Sequence, residues 1–136
     1  MCALDATSRL RVRPRYCDAQ AMVHASRYYE FFEDAFLEWL DEHAGGYRGL
    51  RERDGVDVVI VASGCEYRLP ARLDDELLIE TRAEEFGRTS LGVGFTVRRG
   101  TDVLAVGRAR YVCVRDGTAV PLPETLRAAI PQSGSG

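Results

Sequence analysis

Hydrophobic and polar positions alternate near the start of the chain, where Leu10, Val12 and Tyr16 fall among Arg9, Arg11, Arg13 and Arg15. This period of two predicts a strand of about eight residues with one solvated face. Pro14 has no amide hydrogen for a ladder, so the strand lies at a sheet edge or ends there. The period then lengthens. Tyr28, Phe31, Phe32, Ala35, Phe36, Trp39 and Leu40 recur at helical spacing, with Glu30, Glu33, Asp34, Glu38 and Asp41 filling much of the rest. That pattern predicts an amphipathic helix from Ser26, its expected N-cap, to Ala44, stopped by Gly45 and Gly46. Its apolar face is wider than one neighbouring helix would cover and calls for a sheet. Val56–Leu69, Asp75–Phe86, Ser90–Arg99 and Asp102–Arg115 are rich in Val, Ile, Thr and aromatics and read as strands. The short connections Pro70–Asp74, Gly87–Thr89 and Arg99–Thr101 read as hairpin turns, which makes the sheet antiparallel. Long antiparallel strands curl as they twist. The expected architecture is α+β, with one long central helix wrapped by a curved antiparallel sheet of about five strands. A short helix over Pro123–Ile130 and a flexible tail over residues 131–136 complete it. The chain shows no internal repeat, and residues 1–130 read as one domain.

Composition narrows the chemistry. At 136 residues and formal charge −3, the chain has room for one domain, and a domain of this size gains from an oligomer interface. All 18 basic residues are Arg; there is no Lys and no Asn. A Schiff-base lysine, the lysine of a phosphate-binding loop and N-glycosylation sequons are therefore excluded. Cys2, Cys17, Cys65 and Cys113 are scattered without C-x-x-C spacing, which suggests free thiols and neither a zinc site nor a disulfide framework. No apolar run nears the roughly 20 residues that span a bilayer, and MCALDATSRLRVR lacks the apolar stretch of a signal peptide. The expectation is a cytoplasmic protein without metal or cofactor, and dispersed Arg in an acidic chain argues against a nucleic-acid partner. No G-x-S-x-G is present, which excludes the usual serine-hydrolase thioesterase motif. Gly92-Val-Gly94 lacks a third Gly and a following helix, and so reads as close packing rather than a dinucleotide loop.

Chemistry concentrates at the strand-to-helix junction, Tyr16-Cys17-Asp18-Ala19-Gln20-Ala21-Met22-Val23-His24-Ala25-Ser26. Amides in the first turn of a helix have no intrahelical partner and can bind developing negative charge. Read alone, Asp18 fits a cap or turn former as readily as a catalytic carboxylate.

The stretch RYCDAQAMVHASRYYEFFEDA, from Arg15 to Ala35, resembles the signature of the hotdog-fold acyl-CoA thioesterases of the 4-hydroxybenzoyl-CoA thioesterase type. The similarity continues through Cys65-Glu-Tyr-Arg-Leu-Pro-Ala-Arg-Leu-Asp-Asp-Glu-Leu, Gly87-Arg-Thr-Ser and Gly107-Arg-Ala-Arg-Tyr-Val-Cys-Val, so it covers almost the whole chain. It implies that Asp18 is the catalytic carboxylate, attacking the thioester carbonyl or activating water. The backbone amide of Ala25, seven residues on, is then the carbonyl polariser. It also implies substrate contacts from Tyr28 on the aromatic helix face and from the turn Arg88, Thr89 and Ser90 against the CoA nucleotide. Two protomers would pair their sheets edge to edge, as a homodimer or a homotetramer.

Several positions depart from the family pattern. Ala21 stands where the family has Gly, and is strained if that position requires positive φ. His24 fits a catalytic role, with water or with Asp18, and equally a pocket or packing role. The single Arg of the 87–90 turn points to an acyl carrier protein as an alternative to acyl-CoA. The aromatic helix is compatible with an aromatic or polyketide acyl group, hence with secondary metabolism. Two rival readings stay open: a hotdog module that binds an acyl thioester without hydrolysing it, and a dehydratase or cyclising enzyme using Asp18 and His24.

Overall fold

The computed structural model describes residues 6–129. Strand β1 (Ala6–Arg11) leads through a 3-10 turn at Pro14–Tyr16 into helix α1 (Arg27–Ala44). A short helix α2 (Gly46–Gly49) and a π-helical turn (Leu50–Asp54) follow. Strands β2 (Asp57–Tyr67), β3 (Glu76–Phe86), β4 (Ser90–Arg99), β5 (Asp102–Arg115) and β6 (Thr118–Ala119) precede helix α3 (Glu124–Ala129). The main sheet order is β1-β3-β4-β5-β2, antiparallel throughout, with β6 pairing β5. This curved sheet around one long helix is the hotdog arrangement that the sequence led us to expect. The strand beginning at Arg9 starts earlier, at Ala6, and stops before Pro14, which opens the 3-10 turn instead. The tail at 131–136, Ile130 and Cys2 lie outside the described residues.

Aromatic stacking joins helix to sheet. Phe32 stacks on Phe95 with centroids 4.7 Å apart, and Phe36 stacks on Tyr111 at 3.8 Å. Each such pair adds about 0.5–1.5 kcal/mol beyond the area it buries. Gly107 faces Phe32 so closely that a Cβ there would overlap the ring. Register shifts at Ile60/Ala62, Ala83/Glu85 and Val97/Arg98 bend the strands around the helix. The Gly92 and Gly94 backbones are covered by the side chains of Glu85 and Glu84, the close approach expected of this pair.

Two expectations are corrected. Pro70–Asp74 is not a hairpin turn, because β2 pairs with β5 and not with β3. Helix α1 crosses the concave face from the β1 edge to the opposite one, where β2 is laid down. The chain must then cross back to form β3, and residues 68–75 make that crossing. Nor does Ser26 cap α1: it already has helical φ/ψ, and its side chain makes no cap hydrogen bond.

Candidate active site

Asp18 sits in a tight loop bounded by the bridge between Cys17 and Val23. Its N–H donates to the Met22 carbonyl at 2.9 Å, and its own carbonyl accepts the Ala21 N–H at 3.0 Å. Carboxylate oxygen Oδ1 accepts the amides of Gln20 (2.8 Å) and Met22 (3.2 Å). Oδ2 has no partner among the described residues, and the side chain is exposed. One oxygen thus shapes the loop while the other is free for chemistry. Ala21 closes the turn at φ +62°, a left-handed conformation that Gly adopts without strain.

The start of α1 lies beside this loop because the His24 N–H donates to the Tyr16 carbonyl at 3.0 Å. The Arg27 and Tyr28 amides turn back to the carbonyls of His24 (2.9 Å) and Ala25 (3.3 Å), so the chain is already turning two residues before the helix proper. The Ser26 N–H donates to His24 Nδ1 at 3.2 Å, and the Ser26 hydroxyl lies 2.8 Å from the same nitrogen. The imidazole, rather than the serine, supplies the acceptor at this end. Ala25 is exposed, and among the described residues its N–H meets no acceptor. An unpaired amide at the positive end of an 18-residue helix suits an oxyanion.

Beside Ala25 lies a cleft of about 310 Å³, lined by residues that include Val23, Ala25, Tyr28, Tyr67 and Leu69. Tyr67, at the end of β2, donates its hydroxyl to the Ala25 carbonyl at 3.1 Å and packs edge-on against Tyr28, centroids 5.3 Å apart. Desolvation, with Cys65 and Tyr29 nearby, pushes the Tyr67 phenol up to about 12, so it stays protonated at neutral pH. Tyr28 is buried and belongs to the core, yet it lines this cleft as well.

The crossing segment supports the loop from behind. Val23 N–H donates to Ala71 O (2.8 Å), Leu73 N–H to Ala21 O (3.0 Å), and Met22 bridges Arg72. The segment is itself held by Asp75, whose Oδ2 accepts the Arg72 amide (2.8 Å) and Arg99 Nη1 (2.7 Å). Desolvation works to raise the Asp75 carboxyl, but these two donors outweigh it and hold the group below the ordinary carboxylate range. Arg99 and Tyr67 had no special status in the sequence, and the Asp74-Asp75 pair reads there as a turn rather than as acid/base partners. The signal for Tyr67 was its period-two relation to Cys65, which puts both on the face toward the helix.

The turn at 87–90 lies at the other end of β3 from Asp18, roughly 30 Å away at the usual strand rise. Arg88 is exposed there, while the Ser90 hydroxyl accepts Arg110 Nη1 at 3.2 Å. The Thr89 carbonyl accepts the Cys113 N–H. Arg127 of α3 folds back on the same turn, donating to the carbonyls of Gly87 (2.9 Å) and Arg88 (3.1 Å). Three guanidinium groups therefore gather where the local sequence shows one, and Arg110 among them is paired with Glu85 at 2.9 Å. Within one protomer Asp18, His24, Ala25 and Tyr28 lie along the loop and the helix start that follows it, and Ala25 and Tyr28 share the cleft, whereas Arg88, Thr89 and Ser90 stand at the far end of β3.

The described cysteines are free, and each is pushed up by desolvation, with Asp18 and Asp74 adding at Cys17. None has the lowered pKa of a nucleophilic thiol. Among the described residues, no three His, Cys, Asp or Glu side chains are grouped to hold a metal ion. No helix there is long and apolar enough to cross a membrane.

Known proteins resemble this chain over most of its length. A putative esterase of Aquifex aeolicus is 30% identical over 118 residues, covering 87% of this chain and 91% of that one. The acyl-CoA thioesterase YbgC of Haemophilus influenzae is 29% identical over 122 residues, covering 88% and 90%. A thioesterase of Thermus thermophilus, solved in complex with coenzyme A and zinc, superposes with a TM-score of 0.81 at 25% identity, covering 93% of this chain and 92% of that one. The family model described as the thioesterase-like superfamily matches residues 12–130, and the chain belongs to that superfamily.

Proposed function

We propose that this protein hydrolyses the thioester of an acyl-CoA. The observation that carries the reading is the pairing of a half-free carboxylate, Asp18, with the acceptor-less Ala25 amide at the start of α1. The substrate carbonyl oxygen points at that N–H, which stabilises the negative charge as the carbonyl carbon becomes tetrahedral. Asp18 Oδ2 either attacks the carbon, giving a mixed anhydride that water then opens, or takes a proton from the attacking water. On either route the thiolate leaves and is protonated, and water supplies the oxygen of the carboxylic acid.

The active unit in this reading is a dimer made by β2 against β2. That strand is an edge, and Val59, Ile60 and Val61 on it are exposed. An isologous antiparallel pairing brings the Asp57 end of one strand to the Tyr67 end of the other. Ser90, Val112 and Val59 are neighbours across the sheet, so the 87–90 turn shares the Asp57 end. The dimer would therefore carry Arg88 of the partner subunit toward the Asp18 side, which resolves their separation within one chain. The argument for an acyl carrier protein counted only Arg88. Arg127 stands beside Arg88 at the same turn, while Arg110 there is paired with Glu85, so two guanidinium groups rather than one are on hand for coenzyme A phosphates.

Release of free thiol from a panel of acyl-CoAs, with product mass, tests the activity. Binding without thiol release would favour the non-hydrolytic module, and an altered acyl product the dehydratase. Comparing kcat/KM for an acyl-CoA and the matching acyl carrier protein tests the carrier; a better constant for the protein would overturn coenzyme A.

A further inference from the structure

Ala25 is exposed and has no side chain beyond Cβ, so its backbone is held through its own peptide groups. Two peptide planes meet at its Cα. The upstream plane carries the Ala25 N–H and the His24 carbonyl, which accepts the Arg27 amide at 2.9 Å. The downstream plane carries the Ala25 carbonyl and the Ser26 N–H, which donates to His24 Nδ1 at 3.2 Å. The Ala25 carbonyl accepts the Tyr28 amide at 3.3 Å, longer than the usual distance of about 2.9–3.0 Å. The Tyr67 hydroxyl, at 3.1 Å, is the closer of its two donors. All the other bonds named here are made among residues 24–28, which turn together, whereas Tyr67 arrives from the sheet. Its backbone is fixed there: Tyr67 pairs with Ala105 of β5, and the amides of Arg68 and Leu69 both donate to the Leu104 carbonyl, at 2.8 and 3.1 Å. Its ring lies edge-on to Tyr28, and the phenol keeps the proton that it donates.

We infer that Tyr67 is a positioning residue for the candidate oxyanion site: its hydroxyl ties the Ala25 carbonyl to the end of β2 and so fixes the direction in which the Ala25 N–H points. The hold itself stands on these hydrogen bonds, and its effect on rate rests on the thioesterase reading. With His24 on the N–H and Tyr67 on the carbonyl, the Ala25–Ser26 peptide is gripped at both ends, which leaves ψ of Ala25 little freedom. A polarising donor is effective because it is already aimed where charge develops and needs no reorganisation as the carbonyl carbon becomes tetrahedral. Without the phenolic bond the Ala25 N–H spreads over more directions while substrate still binds, so kcat falls and KM stays. A hydroxyl that bound the substrate equally in its ground and transition states would instead move KM.

The experiment compares the wild type with Tyr67→Phe, which removes the hydroxyl and keeps the ring against Tyr28. Tyr47→Phe is the control, because that hydroxyl donates to the Val58 carbonyl near the other end of the same strand, at 3.3 Å. The direct readout is the order parameter of the Ala25 amide from nitrogen-15 relaxation of the intact protein. It should be that of a rigid backbone, about 0.85, in the wild type and in Tyr47→Phe, and should fall toward about 0.6 in Tyr67→Phe while the rest of α1 keeps its value. With the acyl-CoA that the wild type hydrolyses best, Tyr67→Phe should lower kcat about tenfold, part of the loss of about 10²–10³ seen when an oxyanion donor is removed outright, and leave KM within about twofold. An unchanged Ala25 order parameter in Tyr67→Phe overturns the inference, as does equal loosening in Tyr47→Phe. So does a loosened amide with kcat unaltered, or a raised KM at constant kcat. A wild type that releases thiol from no acyl-CoA refutes the thioesterase reading, and the order parameters then still decide whether Tyr67 holds Ala25.

Discussion

Asp18 and Met22 hold each other twice: the Asp18 N–H donates to the Met22 carbonyl, and the Met22 N–H donates back to Asp18 Oδ1. Because one carboxylate oxygen belongs to the loop, the shape of the loop and its chemistry can be separated by mutation. Asp18→Asn keeps an acceptor oxygen for Gln20 and Met22 and should fold as the wild type does. Its kcat should fall by about 10²–10⁴, the usual contribution of a positioned acid or base. Asp18→Ala loses both and should also be less stable by about 0.5–1.5 kcal/mol. Thiol release and urea unfolding, run on both variants, check the pair; near-native turnover in Asp18→Asn would remove Asp18 from the mechanism.

Ala21 closes the same loop in the left-handed region, at φ +62°. A Cβ there costs about 1–2 kcal/mol, and Gly relieves this while adding unfolded-state entropy worth about 0.4–1 kcal/mol. Ala21→Gly should therefore stabilise the protein by up to about 1.6 kcal/mol, and Ala21→Val should destabilise it. Chemical denaturation midpoints give the sign directly.

The sequence carried the helix, the β4 and β5 strands and the Asp18 junction because each rests on local periodicity or on spacing within a dozen residues. It did not carry which strands are neighbours. Alternation in β2 is the same whether its partner is β3 or β5, so the Pro70–Asp74 connection looked like a turn. It is instead the crossing that holds Ala21, Met22 and Val23 from behind, and so it builds the candidate site. The charge at the 87–90 turn was illegible for the same reason, since Arg110 and Arg127 arrive from β5 and α3. Ser26 failed as a cap because a serine before a helix matches the cap signature whether or not the backbone has already turned.

Asp75 should make stability depend on acid. Desolvation opposes the charge, but Arg99 and the Arg72 amide hold the folded carboxyl below its unfolded value. A lowered folded pKa gives stability that is present above the ordinary Asp range, about 4, and is lost as pH falls through the folded value. Asp75→Asn should cost about 1–2 kcal/mol at pH 7, as expected for charge-assisted hydrogen bonds. Its stability should then change less than that of the wild type as pH is lowered from 5 toward 2. Thermal unfolding across that range compares the two slopes; parallel curves would mean that the clamp contributes nothing.

Gly107 tests the packing beneath the site. A methyl at this position meets the Phe32 ring, and any shift of that ring disturbs its stack on Phe95. Gly107→Ala should therefore destabilise the fold by about 1–3 kcal/mol, the usual cost of overpacking. The double variant with Phe32→Leu, whose side chain has no ring to overlap, should recover part of that loss relative to the sum of the single effects. Urea denaturation of the four proteins of this cycle measures the coupling.

His24 can be assigned by the same kind of separation. Its Nδ1 accepts the Ser26 N–H, so the neutral ring carries its hydrogen on Nε2. The acceptor stands at the start of α1, where a cap is worth about 1 kcal/mol. Asn Oδ1 branches from the same Cγ position as Nδ1 and can take the same N–H, whereas Leu offers no acceptor. His24→Asn should keep the wild-type stability and stay within a few fold of the wild-type kcat. His24→Leu should lose about 1 kcal/mol and, by loosening the peptide next to the Ala25 amide, lower kcat further. A general acid or base would instead make both substitutions cost about 10²–10⁴ in kcat and remove one limb of the pH–rate profile. Profiles for the two variants therefore separate an imidazole that shapes the helix start from one that moves a proton.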